Sequence, residues 1–184
     1  MGVKLAAASG GSIELVPTNT ASNFTVTVPA KTGTMAMDGP AFSAYANASQ
    51  SITANTFTKV AINAELFDTN SNFDSTTNYR FTPTVEGYYQ VNGTVRMTAA
   101  ANSISQTIGV LYKNGAIYAR GSDTVLVTTL NIASIVGAFN EVVYMNGTTD
   151  FIELYGLISG TTTSFNAANA NVTSRFSAAM VRGA

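Results

Sequence analysis

The sequence predicts an all-β fold: a two-sheet sandwich of about ten short strands, with a small β segment ahead of it. Three observations lead there. Runs of Val, Ile, Thr, Tyr and Phe are broken again and again by Gly, Asn, Asp and Ser, as happens where strands alternate with turns. No stretch longer than about two turns joins helical apolar spacing to good helix formers or caps. From Pro40 onward, strand candidates recur at regular spacing, the pattern of a sandwich.

The first 38 residues read as a separate unit. "GGSIELVP" and "SNFTVTVPA" are two short strands, the second alternating Phe24, Val26 and Val28 against Thr25 and Thr27. A unit of this size buries little surface by itself. It must pack on the main domain, on copies of itself or on another protein. Asp38-Gly39-Pro40 marks the boundary.

Strand candidates then fall at 41–45, 57–62, 78–83, 87–97, 104–113, 116–120, 124–130, 133–145, 150–158 and 174–182. Asn114-Gly115, between "IGVLYK" and "AIYAR", is a strong two-residue hairpin signal. "MNGTTD" reads as another turn. Asn92-Gly93 is turn-like, yet it lies inside a continuous strand pattern, so Gly93 is expected at a bulge or a close backbone approach.

Several strands carry bulky residues on both faces. Residues 87–97 offer Tyr89, Val91 and Val95 on one parity and Tyr88 on the other. "DFIELYGLI" offers Phe151, Glu153, Tyr155 and Leu157 against Ile152, Leu154 and Ile158, and "IASIVGAFNEVVYM" is largely apolar on both parities. A sandwich buries one face of each sheet. Scattered exposed apolar side chains are ordinary, but three such strands favour a cover supplied by oligomerisation.

Composition narrows the function. Only 10% of residues are charged, against about 25% in a typical soluble domain. A neutral Thr/Ser/Asn surface suits contacts in a large assembly, where few charges need desolvating. The net charge of −1, with no basic cluster, gives nucleic-acid binding little support. No apolar run approaches the roughly 18 residues of a membrane span. The N-terminus suits neither a secretory signal nor myristoylation, and the start at Met1 suggests a whole gene product made in a cytosol. Cys, His and Trp are absent. That removes disulfides, thiolate nucleophiles, Ser-His-Asp triads and most transition-metal sites. The five sequons, at Asn23, Asn47, Asn92, Asn146 and Asn171, read as unmodified.

Five dispersed segments resemble C1q-like globular domains: "GPAFSAY" at 39–45, "YRFTPTVEGYYQV" at 79–91, "IGVLYKNGAIY" at 108–118, "GTTDFIELY" at 147–155 and "RFSAAMV" at 175–181. They occur in the family's order across residues 39–182. The resemblance implies that residues 39–184 form a ten-stranded jelly roll of the C1q/tumour-necrosis-factor type, assembled as a compact homotrimer. It places Tyr88, Tyr89, Val91, Phe151 and Tyr155 as trimer-interface candidates; alternation alone does not decide between Tyr88 and Tyr89 at the axis. The segment "ASGGSIELVPTNTASNFTVTVPAKTGTMAMDG" resembles repeats of tailed-bacteriophage fibre and virion proteins. Together the two resemblances imply a phage virion protein, assembled in the host cytoplasm. Its N-terminal segment would attach it through Ile13, Leu15, Phe24, Val26 and Val28 to the major capsid protein or another virion protein.

The leading expectation is a non-enzymatic surface knob, decorating or cementing the capsid. The alternative is a receptor- or glycan-binding tip of a tail fibre or baseplate. A depolymerase using two of Asp68, Asp74, Glu86, Glu141, Asp150 and Glu153 lacks any motif. "FDTNSNFD" superficially resembles a calcium loop through Asp68, Asn70, Asn72 and Asp74, but it lacks the Gly and the closing Glu. An Asx-rich turn is the expected reading, and no metal or cofactor is expected.

Overall fold

The computed structural model describes residues 3–6, 9–15, 39–126, 131–166 and 173–184. The chain divides into two compact units, Met1–Gly33 and Thr34–Ala184.

In the first unit β1 (Val3–Ala6) pairs antiparallel with β2 (Ser12–Leu15). The register sets Val3 opposite Leu15 and Leu5 opposite Ile13, alternating with Lys4 opposite Glu14 and Ala6 opposite Ser12. The expected strand over "SNFTVTVPA" lies outside the described residues.

The second unit is the jelly-roll sandwich. Its strands are β3 (Ala41–Tyr45), β4 (Gln50–Ser51), β5 (Thr58–Lys59), β6 (Ala64–Asp68), β7 (Phe73–Asp74), β8 (Arg80–Phe81), β9 (Glu86–Thr98), β10 (Gln106–Lys113), β11 (Ala116–Val125), β12 (Ser134–Asn146), β13 (Ile152–Ser159), β14 (Ser164–Phe165) and β15 (Arg175–Gly183). One sheet runs β6-β3-β15-β9-β12, and the short β14 and β4 extend it beside β9. The other runs β7-β8-β13-β10-β11, with β5 paired to β13. Among the described residues the two sheets thus hold seven and six strands.

Alternation decides what enters the core. In β9 Tyr89, Val91, Val95 and Met97 point inward and are buried, while Tyr88, Gln90, Asn92, Thr94, Arg96 and Thr98 point out. Phe42 anchors an aromatic cluster, stacked on Phe73 at 4.4 Å and on Phe81 at 4.7 Å, with Phe176 edge-on at 5.2 Å. Such contacts add to the burial of large rings. Tyr89 meets Phe81 edge-on and donates its hydroxyl to the Val85 carbonyl at 2.7 Å, so the phenol enters the core with its polar tip satisfied. Burial pushes its pKa up to about 12.

Turn chemistry follows the sequence at Asn114-Gly115, where both residues have positive φ (53° and 80°) and Lys113 pairs with Ala116. Gly93 is a correction. No bulge interrupts β9 there. A side chain at 93 would meet the Phe139 ring at 2.4 Å, so a packed aromatic, not a backbone, requires the glycine. The separate strands expected at 116–120 and 124–130 are replaced by one strand over Ala116–Val125. β6 was not expected at all: its sequence, AELFD, lacks the alternation that betrays a half-buried strand.

Candidate functional site: the outward face of the β9–β12 sheet

Two outward faces remain after the core is filled, and they differ. On the outward side of the β13 sheet, bulky residues are covered by the subunit's own chain. Tyr155 stacks on Tyr112 at 3.8 Å, and Phe57, from the segment before β5, leans on Tyr112 at 6.4 Å. Arg120 lies over Phe57 at 5.4 Å. Ile108 and Val110, on the same row as Tyr112, are buried outside the main core. These residues form a satellite core, with Phe57 leaning on its Tyr112 end. Desolvation raises the pKa values of Tyr112 and Tyr155. Beside it Glu153 is buried, taking Lys59 at 2.6 Å and Arg80 at 2.8 Å on one carboxylate oxygen. Arg80 also caps the Phe151 ring at 3.9 Å.

The outward face of the β9–β12 sheet has no such cover among the described residues. Tyr88 and Tyr144 are paired across β9 and β12, their rings 5.6 Å apart, and both are exposed (41% and 38%). Val142, Val136, Val181 and Phe67 are exposed on the same sheet. Between them lie small or neutral residues: Ser43, Ser177, Ala179, Gln90 and Asn92 line two shallow depressions of about 220 and 280 Å³. The Tyr144 hydroxyl bonds Glu86, which raises the tyrosine's pKa by favouring its neutral form. The chain enters at this end, since the Met180 amide donates to the Pro40 carbonyl and Gly39 lies against Met180.

These positions re-sort the interface candidates. Tyr88 lies on the open face. Tyr89 and Val91 are corrected to core residues: both are fully buried within one subunit and have no surface to offer a second copy. Phe151 and Tyr155 belong to the other sheet, under Arg80 and on Tyr112. Val142, Tyr144 and Phe67 were missed. The double apolar parity of 133–145 was the available signal for the first two. Of the attachment candidates, Ile13 and Leu15 lie in β2, and Phe24, Val26 and Val28 lie outside the described residues.

The carboxylates are occupied structurally. Asp74 accepts the backbone amides of Thr76, Thr77 and Asn78. The Thr77 and Thr76 amides hold its pKa well below the usual range. Asp68 accepts Phe73 N at 2.7 Å and Asn70 N at 3.3 Å, closing Asx turns in the stretch that resembled a calcium loop. Asp150 takes Lys113, Asn114 and the Asn146 amide. Burial works to raise its pKa, but these donors outweigh it and hold the group low. Glu86 is engaged by Tyr144 and Glu141 by the Val142 amide.

No family model matches the chain, and no curated protein matches it. Solved structures match it by fold. The structure of Eiger TNF from S. frugiperda aligns with a TM-score of 0.58 at 10% identity, covering 80% of this chain and 96% of that one. Murine APRIL aligns with a TM-score of 0.52 at 9% identity, covering 78% and 100%. At these identities the likeness shows the fold alone, and that fold is the TNF-like jelly roll.

Proposed function

We propose that the chain is a non-enzymatic structural protein of a phage virion surface: a homotrimeric knob that decorates or cements the capsid, held by its N-terminal segment. The observation that carries the self-association is the open face of the β9–β12 sheet. Its Tyr88–Tyr144 pair, Val142 and Phe67 stand exposed on a neutral surface, whereas the equivalent residues of the other sheet are covered by Phe57 and Arg80. Three copies around an axis cover such a face with little charge to desolvate. The structural role is supported by carboxylates tied into turns and ion pairs. The virion setting is supported by the resemblance of the N-terminal segment to phage fibre repeats.

Sedimentation of the purified chain tests the trimer: a single-chain species at low micromolar concentration overturns it. Quantitative mass spectrometry of purified particles tests the location. Hundreds of copies per particle fit capsid decoration, and a handful would instead favour the receptor- or glycan-binding tip.

A further inference from the structure

The chain has no cysteine, histidine or tryptophan, so oxidative chemistry falls first on its methionine sulfurs. Among the described residues the methionines are Met97, Met145 and Met180, and their settings differ. Met97 and Met145 are fully buried in the core (0% exposed). Met180, near the end of β15, packs against the core but is only partly buried. Of the three, Met180 alone has surface for an oxidant in solution to meet.

Met180 also lies where the jelly roll begins. Its side chain fills a seat between glycines of the chain's entry, of β9 and of β15 itself. A Cβ on Gly39 would fall 2.4 Å from Met180 Cβ and 2.7 Å from its Sδ, and one on Gly87 would fall 2.7 Å from its Cε. A Cβ on Gly183 would meet the same Cε at 3.7 Å. Non-bonded heavy atoms settle at about 3.5–4.0 Å, so neither the Gly39 side nor the Gly87 side has room for an added atom the size of a methyl group. Gly39 and Pro40 are the first described residues of the second unit. They are tied to β15 at this residue: the Met180 amide donates to the Pro40 carbonyl at 3.1 Å, and Gly39 lies against the thioether. The backbone is already irregular here, since the β15–β9 register shifts between Met180 and Arg182 and leaves Val181 exposed.

We propose that Met180 is an oxidation site and that its sulfoxide loosens the Gly39–Pro40 entry from β15. A peroxide supplies the oxygen. The thioether sulfur attacks one peroxide oxygen, the O–O bond breaks and an S–O bond forms. With hydrogen peroxide the other oxygen leaves as water; the sulfur gives up two electrons and the peroxide takes them. The product is polar where the thioether was apolar, and its oxygen finds no room towards Gly39 or Gly87. The entry yields before the sheet does, because one amide bond ties Pro40 to β15, whereas β15 is paired along its length with β9. The proposal needs no second copy, so its failure and that of the trimer reading are separate results.

The test treats the native full chain with hydrogen peroxide and locates the added oxygen by peptide mass spectrometry, which separates Met180 from Met1, Met35 and Met37. Met180 should oxidise about tenfold or more faster than Met97 and Met145. Hydrogen exchange then reads the entry. Ala41 N donates to Thr69 Oγ1 and Thr69 N donates to the Ala41 carbonyl, both at 3.0 Å, so these two amides report on the entry independently of the Met180 amide. Exchange at Met180, Ala41 and Thr69 should quicken about tenfold once Met180 is oxidised, while the amides of central β9 keep their rates. Met180→Leu keeps an apolar side chain of similar volume and should make these amides indifferent to peroxide. Met180→Gln should imitate the sulfoxide with no peroxide added. Oxidation of Met180 no faster than of Met97, unchanged exchange at Ala41 and Thr69 after oxidation, or the same peroxide response in Met180→Leu each overturns the proposal. The wild-type arm needs no variant, so a substitution that unfolds the chain leaves the test intact.

Discussion

Tyr88→Ala is the sharpest probe of the open face. Tyr88 is 41% exposed in the single subunit. A tyrosine offers about 200 Å² in all, so roughly 80 Å² awaits cover, worth about 2 kcal/mol at ~25 cal/mol per Å². Three copies give about 6 kcal/mol per trimer. Interfaces return only part of such area because ordering and desolvation oppose it. Halving the figure leaves about 3 kcal/mol, a factor of roughly a hundred in the dissociation constant. Sedimentation equilibrium over a dilution series measures this directly. The thermal melt of the folded subunit should move little, because the side chain touches solvent and Tyr144, not the core. Tyr118, 48% exposed on the other sheet, is the control: Tyr118→Ala should leave association unchanged. If Tyr88→Ala associates as tightly as the wild type, or if Tyr118→Ala is the variant that dissociates, the wrong face has been identified.

Gly93→Ala forces a methyl to within 2.4 Å of the Phe139 ring; a loss of about 1–3 kcal/mol is expected in chemical denaturation, and Phe139→Leu in the same chain should recover part of it. Thr107 is buried, and its hydroxyl finds no hydrogen-bond partner among the described residues. Thr107→Val should therefore raise stability by about 1 kcal/mol, seen as a melting-temperature gain of about 2–4 °C. Glu153→Gln leaves Lys59 and Arg80 facing a neutral group. Both cations keep some solvent contact (26% and 29%), so the loss falls near the low end for buried pairs, about 2–3 kcal/mol. Asp74 has a folded pKa depressed below its ordinary value of 3.8. Its contribution is complete above that value and is lost as pH falls below it toward the folded pKa. The stability gap between wild type and Asp74→Ala should therefore shrink between neutral pH and about pH 2, a trend that pH-dependent melts resolve.

Much of the fold was legible because turns and alternation are local. Asn114-Gly115 needs two positive φ angles, and few other dipeptides supply them so cheaply. Residues 87–97 alternate because one face is buried, with Tyr89 against Phe81, and the other is turned outward. The failures share a physical cause: the deciding contact is remote. β6 becomes a strand because β3 offers it an edge. Phe139, 46 positions away in sequence, is what makes Gly93 obligatory. Glu153 looked like a free carboxylate until Lys59 and Arg80, from two other strands, closed over it.

The setting of Tyr155 carries the most general consequence. β13 and β12 share one sequence pattern, apolar or aromatic on both parities, yet the second face is closed by different means. For β13 the cover is intramolecular: Phe57 reaches across Tyr112, and Arg120 and Arg80 lay their planar heads on aromatic rings. Long cationic side chains can serve as apolar cover while their charge stays wet. For β12 no aromatic-bearing loop among the described residues plays that part, and Val136, Val142 and Tyr144 stay exposed. Two-sided greasiness in a strand thus records that a cover exists, not whose it is. The discriminating sign lies elsewhere in the chain, in whether an unassigned loop aromatic and a spare arginine are left to supply it. Phe57 and Arg120 are that surplus for β13. The arginines near the open face, Arg96 and Arg175, are held instead by serine hydroxyls, which leaves β12 without an intramolecular cover among the described residues.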